Sequence, residues 1–243
     1  MKVFIFDTKE ALFDNLANKY VERIKQQPNI NLGLATGGTP VPLYEKLIED
    51  HKTNKTSWKE VKTFNLDEYI GLPEGHEQSY RTFMNNVLFD HIDINKDNTH
   101  IPNGNAKDLA MEAFNYDKLL EKNQIDIQLL GIGTNAHIGF NEPGSKFDSN
   151  TIVVDLAEET REANVRFFDS MDEVPTTAIT MGIGSILKAK KIILVATGSS
   201  KAEAIKNTIE GPISTSVPAS VLQAHDDVEI YLDKEAARLL ENK

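Results

Sequence analysis

Short apolar runs alternate along the chain with longer stretches in which apolar residues recur every three or four positions. The runs favour buried β-strands, and the periodic stretches favour amphipathic helices. The predicted strands span 3–6, 31–34, 61–65, 127–130, 178–181, 192–196 and 228–232. The predicted helices span 8–25, 41–50, 79–88, 108–122 and 201–209, and Thr8 is suited to cap the first of them. This alternation indicates an α/β fold: a single doubly wound, mostly parallel sheet with helices on both faces, Rossmann-like in architecture.

The breaks between these elements are loop-like, and neither a repeat nor a low-complexity tract interrupts them. We therefore expect one domain over residues 1–243. Residues 145–175 fit the alternation poorly, because they are polar and mixed in composition. They are interpreted either as a mobile lid or as an irregular surface excursion.

Composition narrows the range of partners. The net charge of −11 disfavours nucleic acid and anionic membranes, and it means that an anionic ligand needs a local cationic or amide-lined pocket. The absence of cysteine excludes disulfides, thiolate metal sites and cysteine nucleophiles. Neither an export signal nor an apolar span of about 20 residues is recognisable, so a cytoplasmic protein is expected.

The densest group of polar side chains follows the predicted strand 127–130. Asn135, His137, Asn141 and Glu142 lie within eight residues, just after a turn marked by two glycines. In parallel sheets, ligands bind beyond the carboxyl ends of strands, so this segment is the candidate active-site loop. A histidine with an acid nearby suits proton transfer near neutral pH, and His137 is the candidate for that role.

Cofactors are not expected. One histidine with scattered acids does not give the spacing of a metal site. The segment from Gly131 to Ala136 fits the dinucleotide pattern Gly-x-Gly-x-x-Gly/Ala, but Asn-Glu-Pro follows where that pattern needs a continuing helix.

The stretch Thr36-Gly-Gly-Thr-Pro40 stands between a strand and a helix. Backbone amides at Gly37, Gly38 and Thr39 could converge there on an anion, most often a phosphate. A tight turn that binds nothing is about equally common for a bare Gly-Gly pair.

Asp67 and Glu68 follow the predicted strand 61–65. A partly buried carboxylate at this position would have a raised pKa and could act as a general base. Neighbouring acids rarely face the same pocket, so at most one of them is the base. The alternative for this segment is a solvated acidic loop.

Two cations complete the set of candidates. Arg166 lies in a mixed segment, and Lys201 opens a predicted helix just after a strand. Each alone is an ordinary surface cation. Together with the Gly37-Gly38 loop, they would supply the positive charge that an anionic ligand requires.

These motifs together resemble the glucosamine-6-phosphate deaminases of the sugar-phosphate isomerase-deaminase family. The resemblance is carried by five stretches in family order: Thr36–Pro40, Phe64–Leu72, Gly131–Pro143 with His137-Ile-Gly-Phe-Asn-Glu-Pro143, Arg166–Asp169 and Lys201. It implies a hydrolase of amino-sugar catabolism and N-acetylglucosamine utilisation. Such an enzyme converts glucosamine 6-phosphate and water to fructose 6-phosphate and ammonia without cofactor or metal.

The resemblance also implies residue roles. His137 opens the sugar ring, with Glu142 and Asn135 orienting its imidazole, and Asp67 moves the proton from C2 to C1. The Gly37, Gly38 and Thr39 amides, Arg166 and Lys201 hold the phosphate.

Two positions depart from the usual family pattern. Asn135 stands where aspartate is most common, which affects the expected rate and pH profile, and Ala136 replaces a usual glycine. Residues 151–155 carry none of the basic residues of allosterically activated members, and the chain ends at Lys243. We therefore expect a monomer or small homo-oligomer that N-acetylglucosamine 6-phosphate does not activate.

Two alternatives remain at this point. A 6-phosphogluconolactonase would share the fold and the Gly-Gly loop, although the Asp67-Glu-Tyr and Phe140-Asn-Glu-Pro stretches are more typical of deaminases. A non-catalytic sugar-phosphate sensor is favoured only by Asn135.

Overall fold

The computed structural model of the chain describes residues 1–165 and 168–241. The strands are β1 (Lys2–Phe6), β2 (Asn31–Leu34), β3 (Lys62–Asn65), β4 (Asp67–Tyr69), β5 (Thr99–His100), β6 (Ile127–Leu130), β7 (Ile152–Asp155), β8 (Thr177–Thr180), β9 (Lys191–Ala196) and β10 (Val228–Asp233). The larger sheet has seven strands in the order β1-β10-β9-β6-β2-β3-β5, and every neighbouring pair is parallel. The flanking helices are α1 (Lys9–Gln26), α2 (Val41–Asn54), α3 (Tyr80–Val87), α4 (Leu109–Lys122), α5 (Glu158–Asn164), α6 (Ile183–Ile186) and α7 (Ala202–Ile209). The predicted fold class is confirmed.

Local sequence explains where several of these elements begin. Thr8 is extended and its hydroxyl accepts a hydrogen bond from the Ala11 amide at 3.1 Å, so it caps α1 as predicted. Ser79 and Asp108 cap α3 and α4 in the same way. The central strands β6, β9 and β10 are buried along almost their whole length, as expected for strands covered on both faces.

A second, smaller sheet was not predicted. It has three antiparallel strands in the order β4-β8-β7. The segment Asp67–Tyr69, expected from sequence just past the end of a strand, is its strand β4, and the run predicted at 178–181 pairs here as β8. Part of the irregular stretch 145–175 is therefore regular, since it contributes β7 and α5. The assignment of 145–175 as a lid stays a prediction.

The strand order places the functional loops. From β2 the chain proceeds through β3 to β5 on one side, and then returns to the other side of β2 as β6. The direction of winding thus reverses between β2 and β6, and a crevice forms beyond their carboxyl ends. The loop after β2 carries Gly37 and Gly38, and the loop after β6 carries His137. Among the described residues, none of the helices is long and apolar enough to cross a membrane.

Candidate active site

A cavity of about 330 Å³ lies at this reversal of the sheet. Its lining brings together seven residues that were singled out from sequence: Gly37, Gly38, Thr39, Asp67, Asn135, His137 and Lys201. Glu142 lies behind His137 and contacts it. Arg166, the remaining predicted residue, lies outside the described residues.

The loop after β2 presents backbone to the cavity. Gly37 has a φ of +83°, in the left-handed region that other residues enter only with strain. The helix α2 begins just beyond it at Val41, and Pro40 at its N-cap offers no side-chain acceptor to the first amides. The exposed amides and the positive end of the helix dipole make this edge of the cavity suited to an anion.

Lys201 reaches the cavity from the loop after β9. It follows β9 and stands immediately before α7. Partial burial lowers the pKa of its ammonium group. A cation in this place complements the amides of the loop at Gly37 and Gly38.

His137 and Glu142 form a close pair. Nδ1 of His137 lies 3.4 Å from Oε2 of Glu142, a distance longer than an ordinary hydrogen bond. Oε2 also accepts a hydrogen bond from Nδ2 of Asn135 at 2.7 Å, and Oε1 accepts one from the hydroxyl of Thr160 at 2.6 Å. Glu142 is thus held from three directions.

These contacts set the charge of Glu142. Partial burial raises its pKa, but the interaction with His137 and the hydrogen bonds from Thr160 and Asn135 outweigh that effect and lower the pKa to about 2. The carboxylate is therefore ionised over the whole neutral range. An ionised carboxylate beside the ring stabilises the imidazolium that forms when His137 takes up a proton.

The structure gives a physical reason for asparagine at position 135. Its Nδ2 donates to Glu142, while its Oδ1 accepts a hydrogen bond from the backbone amide of His137 at 3.2 Å. An aspartate in this conformation would place a second carboxylate against Glu142. In the described structure the side chain of Asn135 thus acts on Glu142 and on the loop backbone. The orienting role that the family resemblance implies for Asn135 would act through Glu142.

Two small residues shape the loop around His137. A Cβ atom on Gly133 would lie 2.3 Å from the imidazole ring, so only glycine leaves room for this histidine. Ala136, where the family usually has glycine, has a φ of +66°. Left-handed backbone costs a residue with a side chain about 1–2 kcal/mol. Alanine at this position is therefore small, but its backbone conformation is strained.

Asp67 enters the cavity from β4. Its side chain is only 6% exposed. Desolvation by burial, followed by the negative charge of Glu68, raises the pKa of Asp67 to about 8. A carboxyl group with a pKa near neutrality takes up and releases protons readily, which is what a general base requires. The alternative of a solvated acidic loop is wrong, because both Asp67 and Glu68 are buried.

Sequence reasoning missed two residues of the site. Tyr80, at the start of α3, lines the cavity, and its ring stacks on Phe140. Thr160, on α5, lines the cavity and binds Glu142. Neither residue stands in a recognisable motif, and only the packing of α3 and α5 brings them to the cavity.

The described residues contain no group of three or more histidines or acids close enough together to hold a metal ion.

Sequence and structural comparisons identify the family. A sequence model of the glucosamine-6-phosphate isomerases/6-phosphogluconolactonases matches residues 7–231. The chain belongs to this family.

Relatives within the family are similar along their whole length. A glucosamine-6-phosphate deaminase from Clostridium botulinum (strain Alaska E43) is 51% identical, covering 100% of this chain and 98% of its own. One from Thermoanaerobacter (strain X514) is 54% identical, covering 99% of this chain and 95% of its own. The resemblance that the motifs indicated is confirmed.

Solved structures agree with this placement. A structure described as a monomeric glucosamine-6-phosphate deaminase superposes with a TM-score of 0.96 and 49% identity, and covers 99% of this chain and 100% of its own. A 6-phosphogluconolactonase from Trypanosoma brucei gives a TM-score of 0.77 at 21% identity, covering 98% of each chain. At that identity the second similarity shows a shared fold alone.

Proposed function

We propose that the chain is a glucosamine-6-phosphate deaminase, which converts glucosamine 6-phosphate and water to fructose 6-phosphate and ammonia. The observation that carries this proposal is the pairing of two proton-transfer groups in one cavity. Asp67, with its raised pKa, and His137, backed by Glu142, line the same 330 Å³ space. Relatives with 51% and 54% sequence identity are named glucosamine-6-phosphate deaminases, which supports the same activity.

The first step opens the sugar ring. His137 transfers a proton between the C1 hydroxyl and the ring oxygen, which leaves an aldehyde at C1 and the amine at C2. Glu142 stabilises the imidazolium during this transfer, and Asn135 and Thr160 hold Glu142 in place.

The second step moves a proton between neighbouring carbons. Asp67 removes the proton from C2 while the aldehyde oxygen at C1 takes up a proton, which gives a planar enolamine. Asp67 then returns its proton to C1 while the amine gives up one proton, which gives an imine at C2. Because C1 and C2 are adjacent, one carboxyl group reaches both from the same face of the plane. Water then adds to the imine carbon and ammonia leaves, so that the ketone of fructose 6-phosphate remains.

The phosphate is held by the loop after β2 and by Lys201. Gly37, Gly38, Thr39 and Lys201 all line the cavity, where the loop amides and the ammonium can bind an anion. Arg166 is proposed as a further phosphate ligand on the family resemblance alone. This anchor fixes the substrate so that the reacting carbons face Asp67.

The deciding experiment compares the wild-type chain with Asp67→Asn. Wild type should release ammonia and fructose 6-phosphate in equal amounts from glucosamine 6-phosphate, and the variant should bind the substrate without turnover. Hydrolysis of 6-phosphogluconolactone without ammonia release would replace the proposal with a lactonase. Tight binding with no turnover by wild type would point to a sensor.

We further propose that the enzyme acts in the cytoplasm, in amino-sugar catabolism, as a monomer or small homo-oligomer. The structural relative described as monomeric supports the assembly state. Kinetics should be hyperbolic and unchanged by N-acetylglucosamine 6-phosphate. Sigmoidal kinetics relieved by that compound would contradict this part of the proposal.

A further inference from the structure

Glu68 is a buried carboxylate that the proposed chemistry does not use. It follows Asp67 directly on β4, and it is only 7% exposed. Side chains alternate along a strand, so Asp67 points into the cavity and Glu68 points to the other face. The lining of the cavity includes Asp67 and not Glu68.

On that other face, the carboxylate of Glu68 accepts three backbone hydrogen bonds. Oε1 accepts from the amides of Tyr69 at 2.9 Å and Tyr80 at 2.8 Å, and Oε2 accepts from the amide of Arg81 at 2.9 Å. An ionised carboxylate is an acceptor only, and three amide donors satisfy most of its capacity. Burial raises the pKa of Glu68, and these three hydrogen bonds act in the opposite direction and favour its charged form.

Two of these donors belong to the first turn of α3. Tyr80 and Arg81 are its first two residues, and the third amide, that of Thr82, donates to the Ser79 hydroxyl at 3.1 Å. The amides that a helix normally leaves unpaired at its start are therefore bound by side chains. Glu68 also places a negative charge at the positive end of the α3 dipole.

These bonds join two walls of the cavity. β4 carries Asp67, and α3 carries Tyr80, which lines the cavity with its ring stacked on Phe140. We propose that Glu68 is a positioning residue for the base: it clamps the strand that carries Asp67 to the helix that carries Tyr80. The kinetic test of this inference rests on the proposed function, whereas the hydrogen bonds that form the clamp are independent of it.

The clamp also has an electrostatic consequence. Glu68 is the charged neighbour that raises the pKa of Asp67, and Asp67 in turn raises the pKa values of Tyr69, Tyr80 and Tyr116. His137 and Lys201 line the same cavity as Asp67. Glu68 itself faces Arg81. Removing the charge of Glu68 takes away a repulsion of ionised Asp67, and the pKa of Asp67 falls. A change of packing that retains the charge, as in Glu68→Asp, would not remove this repulsion.

The first test is Glu68→Gln, with Glu74→Gln, an exposed carboxylate further along the same segment, as the matched control. The glutamine keeps the size of the side chain but turns an NH₂ group toward an amide donor. We expect kcat to fall about tenfold or more, the range of one lost charge-assisted hydrogen bond. KM should change much less, because the phosphate loop and Lys201 are untouched. Glu74→Gln should match wild type.

The second test separates the charge of Glu68 from its geometry, and its main measurement, the titration of Asp67, does not require catalytic activity. The carboxyl carbon of Asp67, assigned by its loss in Asp67→Asn, is titrated by ¹³C NMR in wild type, Glu68→Gln and Glu68→Asp. The midpoint should move to lower pH in Glu68→Gln. In Glu68→Asp, which retains the charge on a shorter side chain, it should stay nearer to wild type while kcat still falls.

The outcomes divide cleanly. The proposal would be overturned if Glu68→Gln had the kcat of wild type and an unchanged Asp67 titration. It would also be overturned if kcat fell and KM rose by the same factor while the Asp67 titration did not shift. If Glu68→Gln does not fold, as judged by circular dichroism, Glu68→Asp carries the kinetic test. If wild type releases no ammonia, the proposed function fails, and the Asp67 titration still judges the clamp.

Discussion

Replacing Asp67 by asparagine should stabilise the folded chain at alkaline pH. The pKa of Asp67 is about 8 in the folded structure, against an ordinary value of 3.8 that applies to the unfolded chain. The stability associated with this group is fully present below pH 4 and is lost as the pH rises to 8. In that range Asp67 is ionised in the unfolded chain, so folding must either protonate its carboxylate or bury the negative charge. Each pH unit in that window costs about 1.4 kcal/mol.

The size of the effect follows from that window. Between pH 5 and pH 8, wild type should lose about 4 kcal/mol relative to Asp67→Asn. This figure is an upper estimate, since structural relaxation around the 6%-exposed carboxylate would reduce it. Activity should change in the same window with the opposite sign, because only ionised Asp67 can accept the C2 proton. kcat/KM should therefore rise about tenfold per pH unit up to pH 8.

Urea unfolding of both proteins at pH 5 and pH 8 measures the first effect, with exposed Asp172→Asn as the surface control. The control should differ from wild type by less than about 0.5 kcal/mol. Initial rates of ammonia release between pH 5 and pH 9 measure the second effect. A stability difference that is the same at both pH values, or a kcat/KM that is flat between pH 6 and pH 8, would refute the reasoning.

Three further substitutions test the rest of the cavity. Thr160→Val removes the 2.6 Å hydrogen bond to Glu142 while keeping side-chain shape, so kcat should fall about tenfold; wild-type turnover would show that the hydroxyl is dispensable. Gly133→Ala places a Cβ atom 2.3 Å from the His137 ring and should lower kcat about 100-fold with unchanged circular dichroism; an active variant would contradict the steric argument. Lys201→Met should raise KM for glucosamine 6-phosphate about tenfold with a smaller effect on kcat, and an unchanged KM would place the phosphate elsewhere.

The longer regular elements were predictable to within a few residues, whereas the short elements β5, β7, α5 and α6 were not predicted. The strands β2 and β6 were predicted to the residue, and α1 and α4 to within one residue at each end, because their patterns are local. By contrast, β4 was not predicted as a strand. Asp67-Glu68-Tyr69 has no apolar run, and its pairing partner β8 lies about a hundred residues later in the chain.

The residues of the candidate site were likewise predictable only where a local motif marks them. Motifs identified the loop at Gly37 and Gly38, the acid pair and the segment around His137, since each combines glycines or acids with the end of a strand. Thr160 and Tyr80 have no such local signal, and they reach the cavity only through the packing of α5 and α3.

The sequence by itself determined the α/β class, the family and the residues able to move a proton or bind a phosphate, because these follow from short-range patterns and residue chemistry. Only the tertiary structure decided which of those residues share a cavity and which state of charge each one has. Asp67 and Glu68 are neighbouring acidic residues, yet one faces the cavity and the other clamps a helix. The reason is that strand pairing selects the face of each side chain, and burial together with the surrounding donors sets its pKa.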